Sequence, residues 1–330
     1  MKSVKYIVLL FLFSSVLALF GCNTGRTTAI NVEPYIPSTE PSCEEQTTTE
    51  EPTTEEPTTK EPTTEEPTTT EPPTTEPPTT APPEPPKDPN ELIGTLYTRA
   101  QLMAMDNSSQ GAGFGGGKDE FNRPYLSLRQ QEAFGKYGAR FIVPEKTDTI
   151  YLTFDLGYEW HNNTTKILDI LAANNVKGTF FPTLNYVKRN PAIIQRIIDE
   201  GHTLGSHTST HPVLPSISID EMYTQLMDVN NYVLEHYNYQ ITTLRPPTGA
   251  YSIRTVCMTK SLGMDSIFWS YSYKDWDTTA QPDPAASLNN AIKAAHPGAI
   301  YLLHSVSDTN TLILDDLIKE LKKTYILDQL

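Results

Sequence analysis

The chain has 330 residues, with 25 Lys and Arg against 40 Asp and Glu and a formal net charge of −15 at pH 7. That balance argues against a nucleic-acid-binding surface, since no basic patch interrupts it. Three cysteines exclude a disulfide scaffold, so stability must come from an apolar core.

Lys2 and Lys5 precede an apolar run over residues 6–20, the layout of a secretory signal and short for a membrane span. The run closes on Leu19-Phe20-Gly21-Cys22, which resembles a bacterial lipobox. Residues 1–22 are therefore expected to be a lipoprotein signal segment. Cys22 would be the lipidated residue, anchoring the chain to the outer, extracellular face of the cytoplasmic membrane. Residues 23–88 form the expected tether. From 44 to 86 the sequence repeats Thr-Thr-Glu-Pro and Thr-Glu-Glu-Pro units, with twelve Glu against Lys60. Such a segment buries too little apolar surface to offset the entropy of ordering, so it is expected to be disordered and extended. It also carries most of the net charge, leaving the remainder only mildly acidic.

Residues 89–148 read as a lead-in. Gly111-Ala112-Gly113-Phe114-Gly115-Gly116-Gly117 lacks the preceding strand and the following Lys-Ser/Thr of a phosphate loop, and is expected to be a flexible loop. Residues 126–137 suit a short helix. About 240 residues follow the tether, enough for one α/β domain, expected to be monomeric.

Over 150–155, Ile150, Leu152 and Phe154 alternate with Tyr151, Thr153 and Asp155, the period of a strand that Gly157 then breaks. Helices are expected over 162–174, 191–200, 218–236, 253–262, 284–295 and 310–323, and strands over 178–183, 203–207, 266–271, 299–304 and near 325–327, with a further strand running into Leu244-Arg245. This alternation predicts a parallel sheet or barrel with functional groups at the C-terminal strand ends. Asp155, His207, Arg245, Asp275 and His304 all fall there.

His207 and His211 stand four apart. On one helical turn their imidazoles would lie about 6 Å from each other and could chelate a divalent ion; as two unrelated loop histidines they would hold nothing. In Arg245-Pro246-Pro247-Thr248-Gly249 the prolines stiffen the chain and Gly249 permits a bend exposing the Thr248 amide. Trp269 to Asp277 combines acids with aromatics, as a sugar-facing wall or a core edge does. His304 ends an apolar strand, where it could serve as a general acid.

Together Thr153-Phe154-Asp155-Leu156-Gly157, His207-Thr208-Ser209-Thr210-His211, Arg245-Pro246-Pro247-Thr248-Gly249, Asp275-Trp276 and Leu302-Leu303-His304-Ser305 resemble, in order, the motifs of carbohydrate esterase family 4, the polysaccharide deacetylases with NodB homology. The likeness spans residues 149–330. Tyr158-Glu159 and the Arg-Pro-Pro-x-Gly form are most similar to the peptidoglycan N-acetylmuramic acid deacetylases of δ-lactam formation. The resemblance implies a distorted (β/α) barrel of the NodB-homology type that removes acetate from an N-acetylated sugar of cell-wall glycan. Asp155 would be the base, His207 and His211 the metal ligands, and His304 the acid that protonates the leaving amine. The Thr248 N–H would stabilise the oxyanion, a contribution of about 3 kcal/mol. Arg245 and Asp275 would form a buried pair orienting Asp155, with Trp276, Tyr158 and Tyr251 along the substrate pocket. The implied cofactor is a divalent ion, Zn²⁺ ahead of Mg²⁺ or Mn²⁺.

One position departs from this pattern. Leu156 stands where the family carries a second, metal-ligating Asp. Asp155 could turn to the metal, water could replace the missing oxygen, or Glu159 could reach in; the expectation is a weakened site. The same chemistry could serve chitooligosaccharides or xylan, and a catalytically inactive glycan-binding homologue is the alternative outside enzymes.

Overall fold

The computed structural model describes residues 87–330. The signal segment, Cys22 and the tether up to Pro86 lie outside the described residues.

The lead-in carries β1 (Leu92–Ile93), β2 (Tyr97–Thr98), α1 (Arg99–Ala104), β3 (Gln110–Gly111), α2 (Tyr125–Phe134) and β4 (Ala139–Arg140). The first part of the Gly-rich stretch is therefore strand, because Gln110 and Gly111 pair antiparallel with Tyr251 and Ala250. After β5 (Thr149–Leu156) come α3 (Asn163–Ala173), β6 (Thr179–Pro182), α4 (Leu184–Arg189), α5 (Pro191–Asp199), β7 (Thr203–Leu204) and α6 (Ile219–Tyr237). They are followed by β8 (Thr243–Leu244), β9 (Ala250–Tyr251), α7 (Ile253–Ser261), β10 (Asp265–Ile267), α8 (Pro284–Lys293), β11 (Ala299–His304), α9 (Asp308–Leu321) and β12 (Ile326–Asp328).

Local chemistry sets the boundaries. Ser218 caps α6 by accepting from Glu221 N, and Pro191 opens α5 where its missing N–H is not needed. The extended strands expected to reach His207 and Tyr271 stop at Leu204 and Ile267. Two helices not expected from periodicity, α1 and α4, are six residues long and are started by Thr98 and Thr183, whose hydroxyls accept from Gln101 N and Tyr186 N.

The parallel sheet β11-β5-β6-β7 and the parallel sheet β4-β10-β8 meet through two parallel bridges, Ser206 with Leu244 and Tyr271 with Tyr301. Strands and bridges together close a distorted (β/α) barrel, the architecture the motif resemblance implies. Strand alternation then sorts β5 into two layers. Ile150, Leu152, Phe154 and Leu156 join the core beneath the helices with Ile167, Leu168 and Leu171. Tyr151 points the other way and clusters with Val143, Phe181, Ile267 and Ile300. Thr153 and Asp155 share the face of Tyr151, so they point inward above that apolar floor.

The lead-in is joined to this barrel by specific bonds. Beyond the β4 pairing, Ser261 Oγ donates to the Ile93 carbonyl and accepts from Leu96 N at 2.9 Å. Arg254 closes the C-terminal end of α1 by donating to the Leu102 and Met103 carbonyls, each at 3.0 Å.

Candidate active site

Asp155 is the last residue but one of β5, and in the parallel register its Cα partner on β11 is His304. Registered residues of neighbouring parallel strands project to the same side, so base and acid candidates share one cleft at the C-terminal end of the barrel. Asp155 is 6% exposed. Its Oδ2 lies 3.6 Å from His207 Nε2, and its Oδ1 lies 3.7 Å from Arg245 Nε. Both separations are ion-pair distances, too long for direct hydrogen bonds. Asp155 Oδ1, Arg245 Nε and Arg245 Nη1 are buried without a hydrogen-bonding partner among the described residues. One acceptor on Asp155 and two donors on Arg245 are thus left with bonds to make.

Arg245 is fully buried. Its Nη2 donates to Thr153 Oγ1 at 2.5 Å, and Thr153 in turn donates to the Tyr301 carbonyl at 2.6 Å. The guanidinium sits 4.7 Å from the Phe181 ring and 5.5 Å from the Trp269 ring, a stacked setting that tolerates a buried cation. The motif resemblance implied an Arg245–Asp275 pair. The structure corrects this: Arg245 pairs with Asp155, while Asp275 is committed to His304. The reason is position, since Arg245 follows β8 directly and enters the barrel between Phe181 and Trp269, whereas Asp275 lies beyond β10, beside the end of β11.

Asp275 is buried and holds His304 by two bonds: Oδ1 accepts from the ring Nδ1 at 2.7 Å and Oδ2 from the backbone N at 2.8 Å. Burial pulls the His304 pKa down, but the charge and hydrogen bond of Asp275 outweigh it, helped by Asp155, and the net shift is upward from 6.5. Nδ1–H donates to Asp275, so Nε2 carries a proton only in the imidazolium form, which the upward shift favours. The Trp276 ring stands 5.6 Å from the His304 ring at 61° and is 47% exposed, as a side wall would be.

His207 and His211 do come together, with ring centroids 4.7 Å apart, but not on a helical turn. They follow β7 in a loop whose Thr208 and His211 have φ of 67° and 61°, and that reversal brings the rings face to edge. His207 Nδ1 donates to the Arg245 carbonyl at 2.7 Å, which leaves the Nε2 lone pair aimed at Asp155. Burial pushes His207 down to about 4 and also lowers His211, so both rings are neutral at neutral pH, the form a metal requires.

The donor set suits a divalent ion held by His207 and His211, with Asp155 as the carboxylate within reach. Leu156 offers nothing, being fully buried in the helix-facing layer. Glu159 does not reach in. Its Oε2 accepts from Tyr186 Oη at 2.6 Å and its Oε1 from Thr164 N at 3.1 Å. Among the described residues no group of three or more His, Cys, Asp or Glu is arranged as a ready cage.

Thr248 is exposed with φ 57°, its hydroxyl donating to the Pro247 carbonyl at 2.7 Å. Gly249 at φ +69° makes the bend possible, and a Cβ there would lie 2.5 Å from Trp269 Cη2. Tyr158 is exposed and borders a cavity of about 210 Å³ with Gly157, Glu159, Asn185, Tyr186, Arg189 and Asn190. Tyr251, expected to touch substrate, does not. It is fully buried, edge-on to Phe134 at 5.0 Å, and its hydroxyl accepts from Gln130 Nε2 at 3.0 Å. Pairing of β9 with β3 turns it into the satellite core with Phe141 and Phe268. Tyr251→Ala is therefore expected to lower stability by about 3 to 5 kcal/mol in urea unfolding, with KM unchanged in whatever enzyme remains folded.

Residues not singled out from sequence are Thr153, Asn310 and Tyr273. Thr153 was detectable as the inward neighbour two positions before Asp155. Asn310 carried no local signal.

Residues 143–267 match the family profile of the polysaccharide deacetylases, and the barrel is the fold of that class. The chain belongs to this family, carbohydrate esterase family 4. It is 44% identical over 227 residues to the peptidoglycan-N-acetylmuramic acid deacetylase PdaA of Bacillus subtilis, covering 68% of this chain and 85% of that protein. The solved structure of the B. subtilis protein, a family 4 carbohydrate esterase, superposes with a TM-score of 0.64 at 39% identity, covering 68% and 96% of the two chains. A family 4 pseudoenzyme from Bacillus anthracis is similar at 29% identity and a TM-score of 0.54, covering 58% and 67%.

Proposed function

We propose that the protein hydrolyses the acetamide of N-acetylmuramic acid in peptidoglycan, releasing acetate. The observation that carries the reading is the registered pair Asp155 and His304 in one cleft, with the neutral imidazoles of His207 and His211 alongside. Likeness to a deacetylase of that sugar supports the substrate.

Asp155 takes the proton from water, held in orientation by the guanidinium of Arg245 3.7 Å away. The Thr248 N–H, exposed by the bend at Gly249, donates to the oxygen of the tetrahedral intermediate. His304 gives its Nε2 proton to the departing nitrogen, and Asp275 stabilises the imidazolium. Trp276 and Tyr158 line the sugar's approach. His207 and His211 would hold a divalent ion, and such an ion would supply Lewis-acid polarisation of the acetyl oxygen when bound. Without a carboxylate at position 156, affinity is lower than in relatives with a second Asp. Base, acid and their orienting partners are all present, which favours an enzyme over an inactive glycan binder. The outward, lipid-anchored placement through Cys22, with residues 23–88 as a spacer reaching the wall, rests on the sequence of that segment.

Acetate release from purified peptidoglycan tests the reading. The chelated protein is expected to be slow and to recover on titration with Zn²⁺, Mg²⁺ or Mn²⁺. Mass spectrometry of the digested wall is expected to show free amine on muramic acid and not on glucosamine. No acetate at any metal concentration would refute the enzyme; amine on glucosamine alone would refute the substrate.

A further inference from the structure

We infer that Asn310 is a positioning residue for the deacetylation, an amide that locks Asp275 against His304, and that Tyr273 locks Asn310 in turn; this rests on the catalytic reading above. Asn310 occupies the third position of α9. Its backbone N donates to the Ser307 hydroxyl at 3.2 Å, and Ser307 caps the helix while donating to Gln281 Oε1 at 3.1 Å. The cap presents the Asn310 side chain to the end of β11, where it is 1% exposed.

Each hydrogen-bonding group of that amide is engaged. Nδ2 donates to Asp275 Oδ2 at 2.7 Å and to the His304 carbonyl at 3.0 Å, and Oδ1 accepts from the Tyr273 hydroxyl. These partners settle which way the amide points, because the flipped form would set Oδ1 against a carboxylate and a carbonyl. The consequence falls on Asp275. Its Oδ1 is taken by the His304 ring, and its Oδ2 by the His304 backbone and Asn310, so it has no second orientation to adopt.

Among the described residues no other hydrogen bond fixes the His304 ring. The aim of Nε2 therefore depends on Asp275, and the aim of Asp275 depends on Asn310. Placement errors of about 1 Å in a proton donor cost about 100-fold in rate, so the chain of bonds acts on turnover and not on sugar binding. The bonds also leave α9, running to the two residues of the acid couple.

Asn310→Ala and Tyr273→Phe test this in the full-length protein with acetate release as readout. Asn310→Ala is expected to lower kcat about 10- to 100-fold, as the loss of an outer partner does, with KM unchanged. Tyr273→Phe, which keeps the ring, is expected to lower kcat by about threefold at the same KM, since it removes a single hydrogen bond to the Asn310 amide. In an Asp275→Asn background, Asn310→Ala is expected to cost less than about twofold more, because what it held is already gone. An unchanged kcat in Tyr273→Phe and Asn310→Ala, or a full multiplicative loss in the Asp275→Asn background, overturns the inference. Should Asn310→Ala not fold, Tyr273→Phe decides alone. Wild-type acetate release is the control: its absence removes the catalytic reading and this inference with it, whereas an active wild type with unaffected variants removes this inference only.

Discussion

Asp155→Asn is expected to reduce acetate release by about 1,000-fold or more, the upper part of what a positioned general base contributes. The substitution keeps the side chain's shape, so the cleft is preserved while its proton acceptor is lost. It also strands the buried Arg245, whose Nε lies 3.7 Å from the carboxylate and whose Nε and Nη1 have no hydrogen-bonding partner among the described residues. Removing one member of a buried pair costs about 3 kcal/mol, so the variant should unfold at lower denaturant with an unchanged far-ultraviolet spectrum. Steady-state assays at saturating metal separate the two effects: the rate loss persists well below the unfolding transition. Undiminished release would remove Asp155 as the base.

His304→Ala is expected to lower kcat by about 100- to 10,000-fold, since an amide nitrogen leaves poorly unless protonated. Its pH dependence gives the sharper signature. His304 acts in its protonated form, and the Asp275 carboxylate holds its pKa above 6.5 against the opposing pull of burial. Acetate release should therefore fall as pH rises through that raised value. Asp275→Asn removes the raising charge and should move this alkaline limb to lower pH. A limb that stays in place when Asp275 is neutralised would show that another group is the acid. In His304→Ala the limb should vanish along with the rate.

Much of the fold was legible because its causes are local. The alternation of Ile150, Leu152 and Phe154 with Tyr151, Thr153 and Asp155 marked β5 and its inward carboxylate. Ser218 and Pro191 marked helix starts. Short strands were overextended, since Thr203–Leu204 and Asp265–Ile267 are held by neighbours in the barrel rather than by propensity. The helices Arg99–Ala104 and Leu184–Arg189 were missed because six residues show too little periodicity to detect.

At the site, the identities of Asp155, His207, His211, Arg245, Asp275 and His304 came from ordered motifs, but their partnerships did not. Arg245 was matched with Asp275, and the structure joins it to Asp155. Tyr251 was placed against substrate because it follows a functional bend, and strand pairing buries it. Glu159 was a possible ligand until Tyr186 and Thr164 were seen to occupy both its oxygens.

By itself the sequence determined the alternation that builds a parallel barrel, the family, and the residue types at the strand ends, because periodicity, caps and motif spacing are written along the chain. Tertiary structure alone decided which charge faces which, how a loop with two left-handed residues brings His207 against His211, and that Asn310 stands behind Asp275. Those are relations between atoms on separate strands and helices, set by barrel register and closure, and no local stretch of chain contains them.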